Sequence, residues 1–143
     1  VVGTDFSPAA DAALAVARDV AHGVLPITCL HVVPTPPAHM RWNDVVAAAT
    51  DAAVRAARQR LGVAPPGAPA DPAFACDVRT GDAAEVLIEA AAGQGALIVV
   101  GLGSDEPARR PGTTAYRVIS GSDAPVLAVP AVPPATTPAG APA

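Results

Sequence analysis

Five short apolar runs, separated by stretches with helical periodicity, constrain the fold of this chain more than any other feature. Between the runs, apolar residues recur every three or four positions, as on one face of a helix. The fourth run is apolar throughout, as expected for a strand whose two faces are both covered by helices. This alternation predicts a parallel sheet with right-handed crossovers and helices on both faces, a three-layer α/β/α sandwich. The runs cover residues 1–5, 27–33, 74–79, 96–101 and 124–129.

We expect helices over residues 9–22, 42–61, 83–92 and 113–120. Ser7 followed by Pro8 is typical of an N-cap and a first helical position. Gly23 and Gly62 follow the first and second helices, where glycine commonly ends a helix. For the second helix we predict an inward face made of Val45, Val46, Ala49, Ala53, Ala56 and Ala57.

Composition narrows the class of protein. The chain has 143 residues, which fits a single domain, and a net charge of −4. Its nine basic residues are all arginine and form no basic run, so nothing supports nucleic acid or an anionic membrane as a partner. No apolar run approaches the ~18 residues of a membrane span and no signal peptide is visible, so we expect a cytoplasmic protein. Because the chain opens on Val1 rather than Met, we leave open whether residues precede it.

Polar residues and glycines follow the first and fourth predicted strands and open the last helix. In parallel sheets, ligands bind beyond the carboxyl ends of the strands, where the strand order reverses. Glycines allow a close approach to the backbone, and unpaired N–H groups at a helix N-terminus favour anions. We therefore predict a site between strands 1 and 4, with a phosphate near the last helix. Its candidate residues are Thr4, Asp5, Gly101, Gly103, Gly112, Thr113 and Thr114.

Several of these residues have a structural alternative. Asp5 can cap the turn into the first helix through a backbone N–H. Gly101 and Gly103 can relieve crowding where the strand ends, and Thr113 can be the N-cap of the last helix. The sequence leaves these alternatives open.

Catalytic patterns do not emerge from the sequence. There is no G-x-S-x-G elbow, no Walker loop, no paired carboxylates and no zinc-ligand spacing. Cys29 and Cys76 form no CxxC pair, so we expect reduced thiols, with a disulfide as the alternative. We therefore expect a protein that is not an enzyme.

Five segments together resemble the universal stress protein family. They are Gly-Thr-Asp-Phe-Ser-Pro at 3–8, Leu-His-Val-Val at 30–33, Val-Val-Gly at 99–101, Gly-Thr followed by Tyr-Arg-Val-Ile within 112–119, and Ala-Pro-Val-Leu-Ala-Val-Pro at 124–130. The resemblance covers residues 1–130, in the right order and spacing. It leaves residues 131–143, rich in proline and alanine, as a tail that we expect to be disordered.

The resemblance implies a Rossmann-like, adenine nucleotide alpha hydrolase-like fold with strand order 3-2-1-4-5. It also implies a homodimer paired through the last strand, with Val126, Leu127 and Val129 at the interface. In one branch of the family the ligand is ATP. The resemblance therefore implies ATP or another adenine nucleotide as the ligand, with or without Mg²⁺.

Two positions of this chain match the family's adenosine contacts, Asp5 and the backbone of Val32. The family's phosphate loop has the form G-x-x-G-x9-G-[ST], whose first glycine matches Gly101 and whose last pair matches residues 112–113. This chain departs from that pattern. Ten residues separate the two end glycines instead of twelve, the second glycine is at 103 rather than 104, and the loop carries Asp105 and Glu106. Arg109 and Arg110 either offset these carboxylates or lie in solvent.

Three functional hypotheses follow. The first is a stress-response regulatory module that binds an adenine nucleotide between strands 1 and 4. The second, motivated by the short acidic loop, is a nucleotide-free homodimeric interaction protein of the same family. The third is a slow ATPase, for which the chain supplies no evident general base.

Overall fold

A computed structural model describes residues 1–40, 42–64, 71–103 and 112–131. Most of the predicted tail and most of the loop between the fourth strand and the last helix lie outside this range. Within it, strands and helices alternate along the chain, as the apolar runs predicted. The elements are β1 (Val2–Thr4), α1 (Pro8–Ala21), β2 (Ile27–Pro34), α2 (Asp44–Leu61), β3 (Phe74–Gly81), α3 (Ala83–Ala91), β4 (Ile98–Leu102), α4 (Thr113–Gly121) and β5 (Val126–Pro130), with a 3-10 turn at Ala38–Met40.

The five strands form one parallel sheet in the order β3-β2-β1-β4-β5, which confirms the predicted fold class. β1 lies at the centre, where Val2 is opposite Cys29 on one side and Val99 on the other. The strand order reverses between β1 and β4, because the chain first builds outward through β2 and β3 and then returns to the other side. This reversal is where a ligand site is expected.

Helices cover both faces of the sheet because alternate strand residues point to opposite sides. On one face α1 packs Ala13 and Ala17 against Val2 and Val99, and α2 covers the neighbouring strands β2 and β3. On the other face α3 and α4 pack together over β2, β4 and β5. The buried residues on that second face include Leu30, Ala84, Leu87, Ile98, Val100 and Val118.

The predicted inward face of α2 is wrong. Val45 is 77% exposed, and among the six predicted residues only Ala57 is buried, with Val46 half-buried. The helix instead turns Val54, Ala57 and Leu61 towards the core. Alanines occupy all sides of α2, so the sequence pattern leaves the rotation of the helix undetermined, and the contact with β2 and β3 decides it.

Helix ends follow the predicted signals with small shifts. The Ser7 hydroxyl accepts a hydrogen bond from the Ala10 N–H at 3.2 Å, which makes Ser7 the N-cap of α1. Gly62 ends α2 with a φ of 64°, as predicted. At the end of α1, the cap residue His22 and the predicted Gly23 after it both adopt a left-handed conformation, with φ of 47° and 69°. Asn43 caps the start of α2, which begins at Asp44 rather than at residue 42.

The two cysteines lie opposite each other on neighbouring strands, in the register Cys29 to Cys76. Both thiols are free. Burial raises the pKa of Cys29 to about 11, and burial also raises the pKa of Cys76. The thiolate forms needed for oxidation are therefore disfavoured at neutral pH.

Among the described residues, none of the helices combines the length and hydrophobicity needed to cross a membrane.

Truncating Ile98 tests the central packing of the sheet. Ile98 is 0% exposed and packs between α3, α4 and β5. We expect Ile98→Ala to lower the free energy of unfolding by about 2–5 kcal/mol, because it removes buried methyl groups and leaves a cavity. Val45→Ala, at an exposed position of α2, is the matched control and should cost nothing. Chemical denaturation of both variants measures the difference, and equal stabilities would contradict this core assignment.

Candidate functional site

A cleft opens at the carboxyl ends of β1 and β4, at the reversal of strand order. Its walls are apolar on the side of α3, where Leu30, Leu87 and Val100 line it. Its rim carries oxygen-bearing side chains. The rim residues are Thr4 and Asp5 at the end of β1, Ser7 at the start of α1, and Thr114 at the start of α4.

The structure brings six of the eight predicted site residues together around this cleft. Gly112 and Thr113 are the other two. Gly112 is the N-cap of α4 and Thr113 its first helical residue, so the alternative in which Thr113 is the N-cap is wrong. The residues that line the cleft are Thr4, Asp5, Val32, Gly101, Gly103 and Thr114.

The corner between β1 and α1 is held by its own side chains. Asp5 Oδ1 accepts a hydrogen bond from the Ser7 N–H at 2.9 Å, which is the capping contact considered from the sequence. The Thr4 hydroxyl accepts the Phe6 N–H at 3.1 Å. The second carboxylate oxygen of Asp5 makes no hydrogen bond to any described residue. Asp5 is exposed, so this oxygen is available to a ligand while the first holds the turn.

Phe6 adopts a φ of 65°, a conformation that is rare for a bulky residue and costs free energy. Two side chains hold its ring. The centroid of the His31 ring lies 4.5 Å from the centroid of the Phe6 ring, and the Arg60 guanidinium carbon lies 4.2 Å from that same Phe6 centroid. His31 Nδ1–H also donates to the Thr4 carbonyl at 2.7 Å. Contacts from β2 and α2 therefore fix the corner that carries Asp5.

Gly101 and Gly103 lie directly under the first turn of α1. A Cβ on Gly101 would come within 2.5 Å of the carbonyl carbon and oxygen of Ala9. A Cβ on Gly103 would come within 2.6 Å of the Ala9 Cβ. Of the two alternatives left open by the sequence, this geometry favours relief of crowding at the strand exit.

An ion-pair cluster joins α3 to α4 beside the cleft. Asp82 caps α3 by accepting the N–H groups of Ala84 and Glu85, both at 3.1 Å. Its other oxygen accepts from Arg117 on α4 at 2.5 Å, and Arg117 also contacts Glu85 at 3.5 Å. The hydrogen bond from Arg117, followed by that from the Glu85 N–H, holds the pKa of Asp82 below its ordinary value. The cluster thus fixes two helices that both line the cleft.

Sequence reasoning missed Phe6, Arg60, Asp82 and Arg117 as residues that shape the site. Asp82 carried one usable signal, since an aspartate just before a helical stretch is a typical N-cap. Arg60 and Arg117 contact residues that are distant in the chain, so no local sequence pattern predicts these contacts. Within the described residues, no group of three His, Cys, Asp or Glu side chains could hold a metal ion.

Comparison with known proteins gives one family and one fold. The model of the universal stress protein family matches residues 1–130. No curated protein matches the chain. Among solved structures, the universal stress protein UspA from Lactobacillus plantarum is 24% identical, with a TM-score of 0.63 over 90% of this chain and 94% of its own. The hypothetical protein MJ0577 is 20% identical, with a TM-score of 0.68 over 92% of this chain and 94% of its own. A universal stress protein in complex with cAMP is 23% identical, with a TM-score of 0.56 over 92% of this chain and 95% of its own.

Two substitutions of Asp82 separate its roles. Asp82→Asn keeps an acceptor for capping α3 but loses the ion pair with Arg117, whereas Asp82→Ala loses both. We expect the free energy of unfolding to fall in the order wild type, Asp82→Asn, Asp82→Ala, because the first variant loses only the ion pair and the second also loses the cap. The second step should be the larger, since caps contribute more than exposed ion pairs. Denaturant midpoints at neutral pH measure this order, and an Asn variant no more stable than the Ala variant would contradict it.

The ion-pair part of this effect should depend on pH. The folded-state pKa of Asp82 lies below its ordinary value of 3.8, so the pair stabilises the fold above that pH. The stabilisation is lost as pH falls through the folded-state pKa. We therefore expect the difference between wild type and Asp82→Asn to be constant from pH 5 to 8 and to shrink below about pH 4.

Proposed function

Because the chain belongs to the universal stress protein family, we propose that it is a regulatory module that binds an adenine nucleotide in the cleft between β1 and β4. The observation that carries this proposal is the meeting of Asp5, Val32 and Thr114 around one cleft at the reversal of strand order. A structure of similar fold is described as a universal stress protein in complex with cAMP, which is itself an adenine nucleotide. We place the protein in the cytoplasm and assign it no catalytic residue.

Each part of the ligand has a matching part of the cleft. The apolar walls formed by Leu30, Leu87 and Val100 suit a flat adenine ring, and Val32 lines the same cleft, where we expect its backbone to hydrogen-bond the edge of the ring. The second oxygen of Asp5 suits a ribose hydroxyl. Thr114, in the first turn of α4, is the described residue best placed for a phosphate.

The ligand we favour is ATP or another adenine nucleotide. The cleft formed by described residues measures about 120 Å³. Small-molecule sites are commonly ~300–1,000 Å³, so part of a nucleoside triphosphate would extend beyond these walls. Any Mg²⁺ would enter with the phosphates.

We also propose a homodimer that pairs through β5. Within the described residues, β5 is bonded to β4 on one side only, so its other edge offers free N–H and C=O groups for pairing. Val126 and Leu127 are half-buried, which leaves apolar surface at this edge. Val129 is 8% exposed and packs in the core, so it would contribute its backbone more than its side chain.

Ligand titration tests the nucleotide site. We expect ATP with Mg²⁺ to stabilise the protein by ~2.7 kcal/mol at 100 times its dissociation constant. Asp5→Asn should weaken binding about tenfold or more, because it keeps an acceptor for the Ser7 N–H but loses the charged acceptor for the ribose. Asp19→Asn, on an exposed turn near the far end of α1, is the matched control and should bind as wild type does.

Calorimetry and thermal unfolding measure both effects. No stabilisation at millimolar ATP would contradict the proposal and favour the nucleotide-free interaction protein. Phosphate release that disappears in Asp5→Ala would instead favour a slow ATPase.

A proline on β5 tests the dimer. Ile98 donates to the Pro125 carbonyl and Ala131 donates to the Leu102 carbonyl, so the alternation places the Ala128 N–H on the free edge. Ala128→Pro removes that donor without removing a bond to β4. We expect light scattering at tens of micromolar to give a dimeric mass for wild type and for Ala128→Ser, and a monomeric mass for Ala128→Pro. A monomeric wild type would contradict the proposal.

A further inference from the structure

We propose that the cleft recognises the nucleoside part of its ligand, and that the phosphates add less than tenfold to the affinity. This inference rests on the proposed function and deepens it by naming the chemical class that the site selects. It follows from three observations: what surrounds the glycines, which charges line the cleft, and what its walls are made of.

Two of the glycines that resemble a phosphate loop, Gly101 and Gly103, are accounted for by packing. Above Gly101, the space for a Cβ is taken by the backbone of Ala9 at 2.5 Å and by the Ala10 nitrogen at 2.8 Å. Real Cβ atoms essentially never come closer than 3.0 Å to such atoms. A side chain at this position would push α1 away from β4. Gly101 is therefore required by the fold, whether or not a phosphate ever lies near it.

Gly103 has the same explanation, because the space for its Cβ is taken by the Ala9 Cβ at 2.6 Å. Gly112 differs, since the Gly103 carbonyl oxygen lies 3.2 Å from the position of a Cβ and would have to move by only a few tenths of an ångström. At Gly101 and Gly103 the missing side chain therefore makes room for protein atoms. These two glycines carry little information about phosphate binding in this chain.

The charged side chains around the cleft also favour recognition of the nucleoside over the phosphates. Asp5 is the acidic residue at the rim, and no arginine lies among the described residues that line the cleft. Two described arginines near the cleft have other contacts, since Arg117 pairs with Asp82 and Glu85, and Arg60 lies on the Phe6 ring. Arg109 and Arg110 lie outside the described residues. A phosphate at the described part of the cleft would face a carboxylate without a described arginine to offset it.

A nucleoside suits the same surroundings. It is uncharged, it has a flat ring for the apolar walls, and its hydroxyls can donate to the free oxygen of Asp5. The Ser7 and Thr114 hydroxyls add further hydrogen-bonding groups at the rim. The binding free energy should therefore come mainly from the ring and the sugar.

A ligand series on the unmodified chain gives the first test. Calorimetry at fixed ionic strength compares the dissociation constants of adenosine, AMP and ATP with Mg²⁺. We expect all three to agree within tenfold. ATP binding more than tenfold tighter than adenosine would overturn the inference while leaving the proposed function intact. Absence of binding by all three would overturn both, so the two failures are distinguishable.

A size swap between Gly103 and Ala9 gives the second test. Gly103→Ala should lower the melting temperature, and adding Ala9→Gly should recover most of the loss, because the new Cβ then fills the space of the old one. The ratio of ATP affinity to adenosine affinity should stay within fivefold of wild type in the swapped protein. A larger drop in that ratio, or no recovery of melting temperature, would overturn the inference. The ligand series does not depend on whether these variants fold.

Discussion

The first turn of α1 lies directly against β4 at Gly101, and the rest of the site depends on this contact. The helix approaches this closely because its inward face is made of alanines and because the strand has no side chain at that point. Ser7 and Pro8 begin the helix at the residue where it must leave the corner. The cleft lies at the carboxyl ends of β1 and β4, where Ala10 of α1 and Leu87 of α3 both line it.

Two groups of side chains then define the cleft, one on each side of the sheet. On one side, Arg60 and His31 hold the Phe6 ring and keep the corner in a conformation that a phenylalanine would not adopt by itself. On the other side, Arg117 ties α4 to the cap of α3. Of the two candidate ligand contacts, Asp5 lies in the corner between β1 and α1, and Thr114 lies in the first turn of α4. Their relative position therefore depends on residues that would not touch a ligand themselves.

The glycines of this chain show how one pattern can serve two purposes. A glycine after a buried strand is compatible with a phosphate contact and with a helix that packs closely on the sheet, because both need a Cα without a side chain. Only the neighbouring atoms distinguish the two. At Gly101 those atoms belong to Ala9 and Ala10. Gly101 therefore carries part of the family resemblance and also allows the close packing of α1.

The sequence by itself determined the alternation of strands and helices, the caps at Ser7 and Gly62, and the family, because these depend on local periodicity and on short segments such as residues 3–8. The family resemblance also implied the strand order. It predicted that Asp5, Val32 and Gly101 share one site, since the carboxyl ends of parallel strands meet at one edge of a sheet. Only the tertiary structure decided the rotation of α2, the strand register that places Cys29 opposite Cys76, the contacts of Arg60 and Arg117, and the packing that requires a glycine at position 101. Each of these is a contact between residues far apart in the chain, and its energy depends on distances that no local pattern contains.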